Sequence, residues 1–366
     1  MKSAVIRGGG TLQAVSVDIP NEIIFCILMY LPVKSLLRFK TVSKSWNALI
    51  TNPYFVREHH SKQPSSKLLF LKRQEKVETY GTSIIPMPLI FDTKLFAHSN
   101  VYQPVKPYLS GEYSIMGPCF GVYCFGVCSY KERSVKIEFC NIATGVTKVC
   151  HYLNFEKGGV VSCAFGFGCV YNDITSVPEF KVVALIYYAR GAALNFSTHV
   201  YTSATDSWKS VESCQSLAYE IGIEVNGVIH WQAKKFILTF DLQKEVFGRI
   251  ELPQVASMEL LTKQDDRYLS LIGLTSDYFV DIWVMHVQGS WVRQAVVGKL
   301  TVSSTTSLLG YWHSVEGLLW KVDDEDDDVE VNGIIMAIGG DRYKFCVKYS
   351  NVALFDYVES LVSFNF

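Results

Sequence analysis

The chain has 366 residues, with 34 Lys and Arg against 35 Asp and Glu and a formal net charge of −1. Hydrophobic residues make up 49% and charged residues 19%, a composition typical of a chain with a large buried core and not of a disordered one. The balanced charge does not favour a protein that neutralises a nucleic-acid backbone. No apolar stretch approaches the ~20 residues of a membrane helix. We therefore expect a globular chain of one small and one large domain, with no nucleic-acid and no membrane partner.

The N-terminal residues and the cysteines indicate in which cellular compartment the protein is expected. The first fifteen residues contain three consecutive glycines but no apolar signal-peptide core, so residues 1–15 are predicted to be a flexible leader. The ten cysteines have no paired spacing and, without a secretory signal, are expected to be reduced thiols in the cytoplasm, the nucleus or both. Cys119, Cys124 and Cys128 form the tightest group. Burial in strands explains them better than a metal site, which would want a fourth ligand.

A short helical region follows the leader. Asp18 is a candidate helix cap, and Pro20 fits the first turn, where its missing N–H costs nothing. Apolar residues then recur at helical spacing until Pro32 ends the helix: Ile23, Ile24, Ile27, Leu28 and Leu31. A second helix is predicted near residues 36–39 and a third at 43–50, capped by Ser43 and followed by an apolar tail at 54–56.

Three helices in about 40 residues are too few to bury all of this apolar surface. We therefore expect part of the first helix and the loop at Pro32 to stay exposed unless something covers them. A contiguous exposed apolar patch usually marks a protein-binding site. A partner protein or the chain's own second domain would provide that cover.

The composition changes after the helices. Residues 59–67 are polar and predict an exposed linker, in which His59 and His60 are interpreted as solvent-exposed, because an isolated pair does not complete a zinc shell. From residue 68 to 366, runs rich in Val, Ile, Tyr, Phe and Trp alternate with turn residues, which predicts a large all-β domain. Clear strand segments lie at 135–142, 180–189, 198–204, 280–287 and 345–349.

Two hairpin signals and a repeat indicate how these strands connect. Asn226-Gly227 and Asn332-Gly333 lie between alternating apolar residues, the pattern of a two-residue hairpin turn with positive φ at both positions. Three aromatic pairs start 39 and 43 residues apart, close to the ~40–50 residues of a propeller blade. These pairs are Tyr201…Trp208, Phe240…Phe247 and Trp283…Trp291. The domain is therefore predicted to be β-propeller-like, with a closed sandwich or barrel as the alternative.

The sequence contains no recognisable catalytic motif. A nucleophile elbow, a zinc-protease helix and a phosphate-binding loop are all missing. Gly166-Phe167-Gly168 is better explained by a close strand passage than by a dinucleotide site. His230 and His313 are interpreted as packed, hydrogen-bonded residues, because no acid, base or nucleophile can be placed beside them. The acidic run 323–328 is typical of a solvated loop, with a basic partner or a cation as the alternative. We predict no catalytic, cofactor-binding or metal-binding residue and no enzymatic activity.

The helical region carries a long ordered motif. It consists of Ile19-Pro20-x-Glu22, Ile27-Leu28, Leu31-Pro32-Val33-Lys34-Ser35-Leu36-Leu37-Arg38-Phe39-Lys40, Val42-Ser43-Lys44-Ser45-Trp46, Ile50 and Pro53-x-Phe55. This run closely resembles the F-box of the large plant family of F-box proteins with a type-one F-box-associated domain, which has kelch-like and S-locus-like relatives. Ile19 and Thr41 are mild departures from the family pattern.

The β region is similar to the associated domain of the same family, in family order. The matching segments include Gly117-x-Cys119, Gly121-Val122-x-Cys124, Asn141-x-x-Thr144-Gly145, Phe165-Gly166-Phe167-Gly168, Asp206-Ser207-Trp208-Lys209 and Asn226-Gly227-x-x-His230-Trp231. Phe120 stands where the family usually has Asn, and Ile142 stands where it usually has Pro.

This resemblance implies an α+β multidomain protein. The implied domains are a small three-helix F-box at 16–58, the linker at 59–67 and a substrate-recognition β-domain at 68–366. The implied function is that of a non-catalytic, substrate-recruiting subunit of an SCF-type ubiquitin ligase. Its partners would be the Skp adaptor, through it the cullin and the RING subunit, and an unidentified protein substrate.

The resemblance also assigns residues. The implied Skp-binding residues are Ile19, Pro20, Ile23, Ile27, Leu28, Leu31, Pro32 and Val33. Leu37, Val42 and Trp46 are implied to be core residues of the helical region. The alternative function is a scaffold or regulator that binds the Skp adaptor without delivering a substrate, and a third is an enzyme or lectin.

Overall fold

A computed structural model describes most of the chain. The described residues are 19–75, 81–89, 113–129, 131–155, 159–171, 177–190, 193–254, 257–264, 267–275, 279–299, 306–312, 317–323, 332–338, 341–347 and 351–364. The predicted leader, the cap at Asp18, His313 and most of the acidic run lie outside them. In the described part, no helix is long and apolar enough to cross a membrane.

Four short helices open the described chain: α1 Asn21–Leu28, α2 Val33–Phe39, α3 Lys44–Thr51 and α4 Pro53–Lys62. The hydroxyl of Ser43 caps α3 by accepting from the N–H of Trp46 at 3.2 Å, as the sequence predicted. The sequence predicted three helices, and the fourth was missed. Asn52 accepts from the N–H of Tyr54 at 2.9 Å and Pro53 occupies the first turn, so the residues interpreted as a tail start α4.

Helix α4 extends into the predicted linker. His59 is fully buried, its ring stacks on Phe55 with centroids 5.9 Å apart, and its Nε2 lies 2.8 Å from the carbonyl oxygen of Leu31. His60 is half-buried. The interpretation of both histidines as solvent-exposed is therefore wrong. The buried face that begins at Phe55 continues by one turn to His59, since residues four apart share a helix face.

The rest of the described chain consists mainly of β-strands that group into six blades, two of which share one eight-stranded sheet. In chain order they are β1 Ser66–Glu75, β2 Gly81–Leu89; β3 Ser114–Cys119, β4 Val122–Ser129, β5 Ser134–Asn141, β6 Val146–Val149, β7 Leu153–Asn154; β8 Gly159–Tyr171, β9 Pro178–Arg190, β10 Ala193–Thr202, β11 Ser207–Val211; β12 Tyr219–Val225, β13 Val228–Gln232, β14 Phe236–Asp241, β15 Val246–Glu251; β16 Ser257–Gln264, β17 Tyr268–Leu274, β18 Phe279–Val287, β19 Ser290–Lys299; β20 Thr306–Trp312, β21 Gly317–Asp323, β22 Asn332–Ile338, β23 Asp341–Val347; and β24 Asn351–Tyr357.

In the described part of the chain, the six blades form a closed ring. One strand of each blade contacts the corresponding strand of the next blade, in the order β3, β8, β12, β16, β20 and β24, and β24 returns to β3. The ring closes because β24, from the end of the chain, pairs antiparallel with β1, for example Tyr357 opposite Ser66. The prediction of an α+β chain with a propeller-like β-domain is confirmed.

Two of the blades are joined by a parallel pair. Phe165 and Gly166 of β8 lie opposite Ile221 and Gly222 of β12. A Cβ on Gly166 would lie 2.6 Å from the Trp231 ring, so only glycine permits this approach. The indole N–H of Trp231 donates to the carbonyl oxygen of Phe165 at 2.8 Å. The close strand passage predicted at Gly166-Phe167-Gly168 is confirmed at Gly166.

The hairpin prediction is confirmed at one position and wrong at the other. Asn226 and Gly227 form the turn between β12 and β13, with φ of 53° and 77°. Asn332 and Gly333 instead lie inside β22, opposite Asp323 and Val322 of β21. The local pattern is the same, but pairing with β21 places the second dipeptide in the strand. The connection between these strands, residues 324–331, lies outside the described residues.

The aromatic repeat follows the outer strands of the blades. Tyr201 lies opposite Trp208 and Phe240 lies opposite Phe247, with ring centroids 5.5 and 4.9 Å apart. Each pair joins the last two strands of its blade, so the spacing noted in the sequence is the blade repeat. The third pair differs: register shifts between β18 and β19 move Trp291 opposite Met285.

Two tryptophans, one in β11 and one in β19, also connect these outer strands to the preceding blade. The indole N–H of Trp208 donates to the carbonyl oxygen of His151 at 2.8 Å. That of Trp291 donates to the carbonyl oxygen of Glu251 at 2.9 Å. The aromatic residue that enters the last strand therefore stabilises contacts between blades as well as its own sheet.

The cysteines are only partly as predicted. Cys119 and Cys124 are buried in strands. Cys128 of β4 is joined to Cys163 of β8 in a disulfide, so the expectation of reduced thiols is wrong for this pair. Its spacing of 35 residues gave no signal, because the adjacency of β4 and β8 is set by the packing of two blades.

Candidate functional site

One side of helix α1 carries exposed apolar side chains. Ile19, Ile23 and Ile27 follow one another at intervals of four residues and are 53%, 51% and 53% exposed. In α1 this spacing places Ile23 and Ile27 on one face, and Ile19 directly precedes Pro20, the N-cap of the helix. Tyr30, 74% exposed, lies one turn further on. We call these four residues the α1 stripe.

The predicted Skp-binding residues divide into two sets. Pro20 and Pro32 are exposed together with the three isoleucines, and Leu31 is half-buried. Leu28 and Val33 are buried in the core of the helical region, where they support the exposed residues from beneath. The structure therefore brings six of the eight residues to the surface.

The predicted core of the helical region is right for two of its three residues. Leu37 and Trp46 pack against the buried cluster, and the Trp46 ring meets Phe39 edge-on at 5.5 Å. Val42 is 60% exposed, so its assignment to the core is wrong. It lies in the turn between α2 and α3, which the helices do not cover.

The other side of the helical region rests on the propeller through a C-terminal segment, residues 358–364, which we call the tail. Leu361 is 3% exposed and packs in the core of the helices. The backbone N–H of Val33 donates to the Glu359 carboxylate at 3.2 Å, and Nδ1 of His60 lies 3.1 Å from the Glu359 carbonyl oxygen. The chain's own β-domain thus covers this side and leaves the α1 stripe exposed.

Residues of the family-like motifs hold the tail on the propeller. The Asn141 amide is fully buried, and its Nδ2 donates to the carbonyl oxygens of Ser360 at 2.9 Å and Val362 at 2.8 Å. At Gly121, with φ of 71°, a Cβ would lie 2.5 Å from the Cβ of Ser360. These motifs therefore fix the junction between the two domains.

Aromatic contacts complete the junction. The Phe120 ring lies 4.1 Å from the His60 ring and 5.0 Å from the Tyr171 ring, and the Arg57 guanidinium lies 5.3 Å above Tyr171. Phe120 has φ of 52°, a left-handed conformation that Asn adopts more readily than Phe. This explains why the resemblance expects Asn at the position, and the ring contacts offset the strain of Phe.

A cleft of about 530 Å³ opens where α4 meets the propeller. Turns and strand ends from several blades line it. They contribute His60, Pro118, Cys119, Phe120, Gly121, Cys169, Val170, Tyr171, Glu224, Asn226, Gly227, Val228, Asp241, Gln243, Lys263 and Val358. The size is that of a site for a peptide segment or a small molecule. The sequence did not predict this site, because its lining residues come from distant parts of the chain.

Charged side chains that line the cleft already form hydrogen bonds within the chain. Glu224 accepts from the N–H of Gly227 at 2.7 Å, and Lys263 donates to the carbonyl oxygen of Pro118 at 3.4 Å. Hydrogen bonds from the backbone and side chain of Lys244 hold the pKa of Asp241 below its ordinary value, against the opposing effect of burial. In the part of the chain that the structure describes, no three His, Cys, Asp or Glu residues cluster to hold a metal ion.

His230 is a packed residue, as predicted. It is 4% exposed, and its Nδ1 lies 3.3 Å from the Ile223 carbonyl oxygen. Burial lowers its pKa to about 4, so the ring is neutral at physiological pH. It lies in β13, among residues that form the blade.

Family models match both domains. The F-box domain model matches residues 17–58, and the F-box associated beta propeller domain model matches residues 119–364. The chain belongs to the family of F-box proteins that carry an F-box associated β-propeller domain. F-box proteins are generally non-catalytic adaptors, and the F-box is in general the part that binds the Skp adaptor in an SCF complex.

Several plant proteins are similar over most of their length. Two F-box/kelch-repeat proteins of Arabidopsis thaliana are 25% identical over 309 residues (78% of this chain, 80% of the relative) and 23% identical over 385 residues (94% and 95%). An F-box protein of the same plant is 26% identical over 310 residues (80% and 73%).

Solved structures with a likeness to this one include TolB from Acinetobacter baumannii, with a TM-score of 0.45 and 11% identity over 82% of this chain and 69% of that chain. AofleA from Arthrobotrys oligospora gives a TM-score of 0.42 and 8% identity over 82% and 94%.

Proposed function

We propose that the chain is the substrate-recruiting subunit of an SCF-type ubiquitin ligase. It docks on the Skp adaptor through the α1 stripe with Pro20, Leu31 and Pro32, and the adaptor connects it to the cullin and the RING subunit. The observation that carries this proposal is the exposure of three isoleucines, each more than half exposed: Ile23 and Ile27 lie on a helix whose opposite side is packed, and Ile19 lies directly before that helix. An apolar face left open in this way is typical of a protein-binding surface.

The junction supports a role in delivery. The tail and the contacts of α4 hold the propeller cleft in a fixed relation to the α1 stripe. A protein bound in the cleft is therefore kept near the ubiquitin-conjugating enzyme, which raises the effective concentration of its lysines. No acid–base group of this chain has to take part, and the complex works in the cytoplasm or the nucleus.

The docking surface is tested by co-purification with the Skp adaptor. Ile23→Asp and Ile27→Asp each place a charge against the apolar partner, and we expect each to weaken binding by about 100-fold. Val287→Asp is the matched control, because Val287 is also an exposed apolar residue (69%) but lies on a propeller strand. Unchanged binding by both isoleucine variants would overturn the assignment of this surface.

Substrate delivery is tested separately from docking. Proteins captured by the propeller are identified, and their half-lives are measured in cells with the full chain and with the Ile27→Asp variant. Longer half-lives with the variant support delivery. Unchanged half-lives for every captured protein, with Skp binding intact in the full chain, favour the scaffold alternative.

A further inference from the structure

Two cysteines from neighbouring blades face each other in the wall of the cleft. Cys119 is the last residue of β3, and Cys169 lies on β8, 50 residues later. Their sulfur atoms are 2.8 Å apart. Both residues line the cleft, so a small molecule that enters it reaches this pair.

The two thiols are not equivalent. Cys119 is 6% exposed, whereas Cys169 is half-buried and is the more accessible of the two. The Cys119 thiol donates to the sulfur of Cys169. This hydrogen bond, together with burial, holds the pKa of the Cys119 thiol well above its ordinary value. Cys119 therefore stays protonated, and Cys169 is the sulfur that a reagent in the cleft meets first.

We propose that Cys119 and Cys169 form a peroxide-sensitive thiol–disulfide site in the cleft wall. Hydrogen peroxide oxidises the Cys169 thiol to a sulfenic acid, and its O–O bond breaks to release one water. The sulfur of Cys119 then attacks the sulfur of Cys169. The S–S bond forms, the S–O bond breaks, and the leaving hydroxide takes the Cys119 proton as a second water. Two thiols and one peroxide thus become a disulfide and two waters.

The surroundings explain why this pair differs from Cys140, Cys150 and Cys214. Burial raises the pKa of Cys140 and of Cys150 to about 12, and both are buried. Cys214 is half-buried, and its sulfur donates to the carbonyl oxygen of Ser216 at 3.7 Å. A sulfenic acid at Cys169 has a resolving thiol in contact.

The disulfide would link two blades in the wall of the cleft. Cys119 directly precedes Phe120, whose ring contacts His60 of α4. The oxidised form therefore fixes the cleft wall next to the domain junction, while the α1 stripe is untouched. The proposal does not depend on Skp binding, so either can fail without the other.

The site is tested on the purified full-length chain. The protein is reduced with dithiothreitol, desalted, treated with one equivalent of hydrogen peroxide, alkylated, digested without reductant and analysed by mass spectrometry. We expect a linked peptide that joins Cys119 to Cys169. In Cys119→Ser, Cys169 should accumulate as a sulfenic acid that dimedone traps. In Cys169→Ser, Cys119 should remain a thiol, and the control Cys214→Ser should form the link as the wild type does.

A second measurement covers the case in which a variant folds poorly. For the wild type, oxidation should raise the Tm by on the order of 5 °C, because the new bond closes a long loop. Cys169→Asn and Cys169→Ser should lose this shift. The proposal is overturned if the wild type yields no linked peptide while Cys214 is oxidised, or if dimedone marks Cys119 and not Cys169.

Discussion

Asn141 is the residue on which the attachment of the tail to the propeller most depends. Its amide Nδ2 donates to two tail carbonyl oxygens, and its Oδ1 accepts from the N–H groups of Ala143 at 3.1 Å and Thr144 at 3.4 Å. Asn141→Asp keeps the shape of the side chain and the acceptor atoms but removes both donors. The substitution therefore tests the two buried hydrogen bonds with little change in packing.

The expected cost follows from the burial of the site. Each buried carbonyl left without its donor costs about 1–3 kcal/mol. With two such groups and a carboxylate that faces them, we expect Asn141→Asp to lower the free energy of unfolding by about 4 kcal/mol at pH 7. Urea denaturation measures this change, and limited proteolysis should show earlier cleavage near the tail.

The pH dependence gives an independent check. The carbonyl oxygens raise the pKa of the introduced carboxyl above its unfolded value of about 3.9, so the stabilising protonated form is lost as the pH rises through the folded pKa. The deficit relative to wild type should therefore shrink from pH 7 to about pH 5. Asn226→Asp is the matched control: Asn226 also donates to a carbonyl oxygen, that of Arg267 at 3.0 Å, but is exposed, and its loss should cost less than about 1 kcal/mol. Equal costs for the two variants, at either pH, would refute the reasoning.

Two further predictions concern the blades. Trp291→Phe keeps an aromatic side chain but replaces the indole with a smaller phenyl ring and removes the N–H that donates to Glu251. We expect a loss of about 1 kcal/mol, which a thermal melt should show as a fall in Tm of roughly 2–4 °C. An unchanged Tm would contradict the blade-to-blade role of this residue. Burial lowers the pKa of His230 from 6.5 to about 4 in the folded protein. Because the folded state binds the proton less readily than the unfolded state, the contribution of His230 to stability is present above pH 6.5 and is lost as the pH falls toward 4. In His230→Gln, urea denaturation should show a shallower loss of stability over that window than in the wild type, and identical slopes would contradict the assignment.

The sequence predicted the blades better than the helices. Blade spacing was visible because two blades repeat the same local feature, an aromatic pair across the last two strands, at Tyr201 and Trp208 and at Phe240 and Phe247. Helix α4 was missed because most of its residues are polar and its buried face consists of only Phe55 and His59. A histidine in a polar segment is predicted to be exposed, and the sequence does not show its contact with the carbonyl oxygen of Leu31. Local composition does not show which side of a short helix will be covered.

The same limit separates the two Asn-Gly pairs. Both have the residues that a hairpin turn requires, yet Asn226 lies in a turn and Asn332 lies in a strand. An Asn-Gly pair shows only that the backbone can adopt the positive φ angles of a hairpin turn. Whether the pair forms a turn or part of a strand depends on strand pairing, which involves residues far away in the chain.

The sequence by itself determined the order of the domains, the apolar stripe on α1 and the absence of a recognisable catalytic motif, because each rests on residues close together in the chain. The tertiary structure alone decided that the tail closes over the helices, so that Leu28 and Val33 become core while Ile23 and Ile27 stay exposed. It also formed the cleft and brought Cys119 against Cys169. These features depend on ring closure, which places strand ends from distant segments side by side, and no local pattern encodes that contact.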